Sequence, residues 1–237
     1  MARKTSILAI KQLKTPSRGY RRRFIVVCEG KKTEPGYFGP DGPIARIVGR
    51  NVCVRVHSPK RGSAPEHVLS EMKRCLERDP LEKSDAAWLV VDRDEWPEGE
   101  LNKLVQWAKK GDQHHLALSN PKFEYWLLLH FESGQGVTTP AACDTRLKEY
   151  LPNDDKGIPT ECFPRAAIDA AVVRAEKRLL AFRNEPWYAA DDWPRASGLT
   201  TVHRLARAIL AAYVDTAGNN DATAPTPGTG LCVGLPA

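Results

Sequence analysis

The sequence lacks acidic residues at its start and long apolar runs throughout. Residues 1–23 contain no aspartate or glutamate. No stretch of the chain reaches the roughly 20 consecutive apolar residues that a membrane-spanning helix needs. The apolar segment at residues 6–10 is also too short for the core of a signal sequence. We therefore expect a cytoplasmic protein with no membrane contact.

Several patterns of catalytic and metal-binding residues are also missing. None of the six cysteines forms a C-x-x-C pair, and none of the six histidines has zinc-finger or H-x-x-x-H spacing. These absences argue against a structural zinc site, and the cysteines are expected to be reduced and buried. The chain has no G-x-S-x-G and no H-E-x-x-H sequence, which removes support for serine hydrolase and zinc protease chemistry.

Positive charge is concentrated at the start of the chain. Residues 1–23 hold eight lysines or arginines, which leaves 27 basic and 29 acidic residues for the rest. Such an arm is either a solubilising tail or a contact for phosphates, and basic arms often mark nucleic-acid-binding proteins. We favour the second interpretation, with Arg21, Arg22 and Arg23 as candidate contacts.

The hydrophobic pattern from residue 24 to about 133 alternates strands and helices, which indicates an α/β fold with a central, mostly parallel four-stranded sheet. The expected strands are 24–28, 52–56, 88–91 and 115–118. After about residue 134 the chain becomes loop-rich, with helices expected at 165–183 and 200–213. The expected organisation is a basic arm (1–23), an α/β core (24–133), a helical extension that packs on the core (134–215) and a disordered tail (216–237).

Acidic residues follow two of the expected strands. Glu29 comes directly after the first, and Asp92 and Asp94 follow the third. An isolated D-x-D often only caps a helix or forms a turn. Open α/β sheets bind ligands at the carboxyl ends of their strands, however, so the three acids should converge there. Each carboxylate pair ~4 Å apart would cost on the order of 4 kcal/mol at an effective dielectric of about 20. A hard divalent cation, Mg²⁺ or Mn²⁺, would offset this repulsion.

Other charged residues have two open interpretations each. Glu124 lies in the apolar segment 123–131, where a buried carboxylate needs a partner, so it is a candidate metal ligand or general base. His130 is either a core histidine or a catalytic one. Four further cations either contact phosphates of a substrate or are simply solvated: Lys31, Lys32, Lys60 and Arg61. The segment 29–33 does not complete a phosphate-binding Walker A loop.

Three segments together resemble a known family. Glu29 with the D-x-D at 92–94 is similar to the signature of the Toprim fold, and the fuller set (28–38, 92–95 and 119–131) resembles the RloB-like family. The resemblance implies a Toprim-like fold and a Mg²⁺ (or Mn²⁺) site at the acids, hence a nuclease acting in anti-phage defence by abortive infection. It also implies a partner ATPase. The stretch 34–43, interrupted by proline and glycine, is irregular for a first Toprim helix, which leaves the position of Glu34 open.

The leading hypothesis is therefore a metal-dependent nuclease with Glu29, Asp92, Asp94 and Glu124 as catalytic residues, the first three of them metal ligands. Its substrate would be DNA or RNA, with tRNA among the candidates, and the oligomeric state stays open. The alternative is a nucleic-acid-binding or regulatory module on the same scaffold that has no turnover and works with the ATPase.

Overall fold

A five-stranded sheet, parallel except at one edge, runs through the protein. The computed structural model describes residues 22–93, 96–152, 157–189 and 194–221. The strands lie in the order β2-β1-β3-β4-β5, and only the pairing of β4 with β5 is antiparallel. Their bounds are β1 Arg23–Cys28, β2 Cys53–His57, β3 Ala86–Asp92, β4 His114–Asn120 and β5 Leu199–Thr200.

Strands β1 and β3 form the centre of the sheet because they are apolar on both faces. In β1, Phe24 and Val26 point into one core cluster, whereas Ile25 and Val27 point into the other. Continuous apolar runs of this kind suit parallel strands that helices cover on both sides. The helices at Pro65–Arg78 and Glu98–Ala108 contribute to the cluster around Ile25, and the remaining large helices contribute to the cluster around Phe24.

Nine helices are found among the described residues, together with a short 3-10 helix at Thr160–Cys162. Their bounds are α1 Thr33–Phe38, α2 Pro43–Val48, α3 Pro65–Arg78, α4 Glu98–Ala108, α5 Glu124–Leu128, α6 Pro140–Lys148, α7 Arg165–Leu180, α8 Pro186–Ala189 and α9 Val202–Asp221. Within the described part of the chain, no helix has the length and apolar character needed to cross a membrane.

The α/β fold with a mostly parallel sheet is confirmed, but the prediction of four strands missed β5. This strand has only two residues, too few to show an alternating pattern. Leu199 and Thr200 pair with Asn120 and Ser119, so the helix expected to begin at residue 200 begins at Val202 instead.

Residues of the predicted helical extension share the core of the sheet. Ile168 on α7 and Leu205 on α9 belong to the same apolar cluster as Phe24 and Val26. Helix α9 continues to Asp221, beyond the start of the tail predicted at 216–237, and the rest of that tail lies outside the described residues. Most of the predicted basic arm, residues 1–21, also lies outside them.

Candidate metal centre

The candidate site lies between β1 and β3, where the direction of the strand order reverses. The chain passes from β1 to β2 on one side, and β3 joins β1 on the other. In open parallel sheets this switch point forms a crevice beyond the carboxyl ends of the strands. Glu29 follows β1 directly and Asp92 ends β3, so both acids reach this crevice. The backbone N–H of Glu29 donates to Val90 O at 2.9 Å, which continues the β1–β3 pairing into the site.

Glu29 connects the two central strands through its side chain. Its Oε2 accepts a hydrogen bond from the backbone N–H of Asp92 at 3.0 Å, and its Oε1 accepts one from the indole N–H of Trp96 at 3.3 Å. The residue is only 9% exposed. Each carboxylate oxygen can accept more than one bond, so these contacts position Glu29 and leave it acceptor capacity.

Glu34 is a member of the site that the sequence left open. It lies in the first turn of α1 and is buried. Its Oε1 accepts a hydrogen bond from the backbone N–H of Gly30 at 3.0 Å. A Cβ at Gly30 would be only 2.3 Å from Glu34 Oε2, so the absence of a side chain there lets the carboxylate pack against the loop. Pro35 and Gly36 follow directly and obscured the helix in the sequence, which is why this position was not assigned.

Glu124 enters from the segment that follows β4. It begins α5, and its Oε1 accepts a hydrogen bond from the Thr33 hydroxyl at 3.2 Å. Lys122 Nζ is 3.5 Å from Glu124 Oε2 and 3.0 Å from Asp144 Oδ1. No sequence pattern assigned Lys122, Asp144 or Thr33 to the site, and the only signal for Lys122 was its place two residues before Glu124.

Four carboxylates therefore lie near enough to interact electrostatically: Glu29, Glu34, Asp92 and Glu124, which we call the acidic cluster. Their oxygens are more widely spaced than in a preformed ion site, because no three of them come within 4.8 Å of one another among the described residues. The pKa of Asp92 is raised well above its usual value, first by burial and then by the negative charges of Glu34, Glu29 and Glu124. Burial also raises the pKa of Glu34, and Glu124 adds to that effect. Buried carboxylates that disfavour ionisation gain from a nearby cation. Because the cluster offers only oxygen donors, it suits Mg²⁺ or Mn²⁺ rather than a softer ion.

Cations lie on two loops beside the acidic cluster. The Ser58 hydroxyl donates to Gly30 O at 2.6 Å, and Lys31 Nζ donates to Lys60 O at 3.3 Å. These bonds bring the loop after β2 to the loop after β1. We call the exposed cations of the two loops the basic rim: Lys31, Lys32, Lys60 and Arg61.

Two of the predicted nucleic-acid contacts lie elsewhere. Arg22 and Arg23 are at the amino end of β1, whereas the acidic cluster is at its carboxyl end, and six strand residues span about 20 Å. The Arg23 guanidinium forms ion pairs with Asp85 (2.6 Å) and Asp79, and that of Arg22 lies 5.1 Å from the centre of the Phe24 ring. The structure thus does not bring these arginines to the site, because they lie at the opposite ends of the strands. Arg21 and Asp94 lie outside the described residues.

His130 is a core residue rather than a member of the acidic cluster. It is 4% exposed, and its Nε2 is 2.9 Å from the Tyr37 hydroxyl. Its Nδ1 faces the carbonyl oxygens of Trp126 (3.0 Å) and Leu127 (3.1 Å), so Nδ1 carries the proton and Nε2 accepts from Tyr37. Burial lowers the pKa of His130 to about 3. The ring is therefore neutral, and its hydrogen bonds join α5 to α1.

A second group of possible ligands lies away from the acidic cluster. His57, Glu71 and Cys75 place donor atoms within 4.8 Å of one another. Arg74, however, holds both carboxylate oxygens of Glu71. The positive charges of Arg78, Arg74 and Arg55 also act on His57. These guanidinium groups already balance the acid, so we assign no ion to this group.

Comparison with known proteins gives a family and no individual relative. No curated protein and no solved structure matches the chain. The sequence model of the family described as RloB-like protein matches residues 24–209, from β1 almost to the end of the buried part of α9. The matched region includes all four members of the acidic cluster and the whole sheet except Arg23, the first residue of β1. The chain therefore belongs to the RloB-like family.

Proposed function

We propose that the protein is a nuclease that depends on Mg²⁺ or Mn²⁺ and hydrolyses phosphodiester bonds at the acidic cluster. The supporting observation is the convergence of four carboxylates at the switch point of the sheet, with the pKa of Asp92 raised by burial and by the other three acids. Neighbouring carboxylates disfavour one another's ionisation, and a bound divalent ion would relieve that repulsion.

The members of the cluster have different parts in this proposal. Asp92, Glu34 and Glu124 would hold the ion, and Glu29 would add a ligand oxygen or act as the general acid or base while keeping the ends of β1 and β3 together. Asp94, two residues after Asp92, remains a candidate ligand from the sequence. A bound divalent ion supplies Lewis-acid stabilisation of the phosphate charge and lowers the pKa of a bound water. Lys122 holds Glu124 in place through its ion pair at 3.5 Å.

The basic rim supports a polyanionic substrate. Lys31, Lys60 and Arg61 lie on two joined loops at the same edge of the sheet as the acidic cluster. Phosphate contacts by lysine and arginine give binding that weakens steeply with salt. The rim would therefore position the strand, and the basic arm would add contacts without base specificity.

The wider role rests on the family resemblance. A Toprim-type mechanism, a place in anti-phage defence and a partner ATPase are proposals that follow from membership of the RloB-like family and from the quoted motifs. The arrangement of Glu29 after β1 and Asp92 at the end of β3 is consistent with them.

The proposal is tested by cleavage assays on DNA, total RNA and tRNA with Mg²⁺ and with Mn²⁺. The double variant Asp92→Asn with Glu34→Gln should lose cleavage by at least a hundredfold while keeping its circular dichroism spectrum. The matched control is Asp169→Asn, which removes an exposed acid on α7 that pairs with Arg165 one turn away. Undiminished cleavage by the double variant would refute the proposal. Salt-dependent binding that needs no metal, without any cleavage by the wild type, would instead support the non-catalytic alternative.

A further inference from the structure

A pocket opens directly beside the acidic cluster. Its volume is about 430 Å³, within the range of pockets that hold small organic ligands. Three polar residues, Lys32, Thr33 and Glu124, belong to its lining. Glu124 therefore belongs both to the acidic cluster and to the pocket wall, so a group in the pocket would lie next to the proposed reaction centre.

Most of the remaining lining is apolar. It includes Leu127 of α5, Leu147 of α6, Leu151 and Ile158. Apolar side chains of this kind can pack against the face of a planar ring. Ile158 comes close to α1 because position 36 is glycine, where a Cβ would lie 3.2 Å from Ile158 Cγ1. The pocket is thus enclosed by packed helices as well as by a loop.

We propose that this pocket receives one unpaired nucleoside of the substrate strand. The inference rests on the proposed nuclease function and specifies its substrate class as single-stranded or locally unpaired nucleic acid. The apolar side chains would contact the faces of the base, and Glu124 would accept from an exocyclic amino group. Lys32, which lines the pocket and is exposed, would meet the adjoining phosphate. A base that stays paired and stacked within a duplex cannot enter such a pocket, so the strand must present it already turned out.

Binding measurements separate this inference from the nuclease proposal. Fluorescein-labelled oligonucleotides of one sequence, as RNA and as DNA, would be titrated as single strands and as blunt duplexes, with Ca²⁺ replacing Mg²⁺. The single strand should bind about tenfold more tightly than the duplex, because the aliphatic side chains of the pocket remove part of the surface of the base from water. The Ile158→Trp variant, in which an indole fills the pocket, should lose that tenfold and bind duplex as the wild type does.

The matched control is Val173→Trp. Val173 is 63% exposed on α7, so this substitution adds the same ring outside the pocket. Thermal melting of both variants shows that the fold is kept. Equal affinity of the wild type for single strand and duplex would overturn the inference. A single-strand preference that Ile158→Trp retains or strengthens would do the same. The nuclease proposal stands or falls separately, on the cleavage assay with the acidic variants.

Discussion

Replacing Gly30 by alanine tests the placement of Glu34 in the acidic cluster. The added Cβ would lie 2.3 Å from Glu34 Oε2 and 2.8 Å from Oε1, whereas ordinary contacts begin near 3.4 Å. The carboxylate must therefore move by about 1 Å. The carboxylate is the flexible end of the Glu34 side chain, so it can move without disturbing α1. The hydrogen bond from the Gly30 N–H to Oε1, 3.0 Å long, would be lost with that movement.

The expected effect is a weaker metal site in an intact protein. A hydrogen bond to a charged group contributes about 1.5–3 kcal/mol. If that energy holds Glu34 in the position that binds the ion, its loss lowers Mn²⁺ affinity by roughly 10- to 150-fold, at about 1.4 kcal/mol per factor of ten. Isothermal titration with Mn²⁺ measures the affinity directly, and electron paramagnetic resonance of free Mn²⁺ gives an independent value.

The chain supplies a matched control for this substitution. A Cβ at Gly99, in the first turn of α4, would meet nothing within 4 Å, so Gly99→Ala should leave Mn²⁺ affinity unchanged. If Gly30→Ala bound Mn²⁺ like the wild type while Glu34→Gln lost binding, the Glu34 carboxylate would bind the ion from another position, and its assigned place beside Gly30 would be wrong.

Three further substitutions test other parts of the structure. The pKa of Asp92 is raised above the roughly 3.9 of an unfolded chain, so the stability of the wild type without metal should fall as the pH rises through the raised pKa. Asp92→Asn removes this titrating group and should make the melting temperature depend less on pH. Tyr37→Phe should cost about 1 kcal/mol of unfolding free energy in urea titrations through the lost bond to His130, with cleavage unchanged; a large loss of cleavage would instead give that pair a catalytic part. Arg23→Ala should cost about 1–3 kcal/mol because Asp85 loses its guanidinium partner, yet leave the salt dependence of polynucleotide binding as it was.

The sequence predicted the strand ends better than the helices between them. Glu29 and Asp92 could be placed because each follows a continuous apolar run, a pattern that marks both the strand and its end. Glu34 could not be placed, since its position depends on a close approach to Gly30 that no periodicity records. Strand β5 was missed because its two residues gain their conformation from pairing with β4, a contact between distant parts of the chain.

The basic residues show a different limit. Arg23 and Lys31 are both cations close to the first strand, and composition alone treats them alike. The structure separates them, because Arg23 pairs with Asp85 at one end of β1 and Lys31 lies beyond the other end. Which end of a strand a charge occupies can be read from the sequence. Whether an acid from a distant loop neutralises it cannot.

Lys122 is an internal counterion of Glu124. Its ammonium lies between Glu124 and Asp144, at 3.5 and 3.0 Å. A divalent ion that binds Glu124 would weaken the first of these ion pairs and leave the second in place. Lys122 would then keep an ion-pair partner with and without the divalent ion, so the exchange of one cation for the other would leave no charged side chain without a partner. Ion binding and release at this edge of the sheet would thus require the movement of one flexible side chain and no rearrangement of α5 or α6.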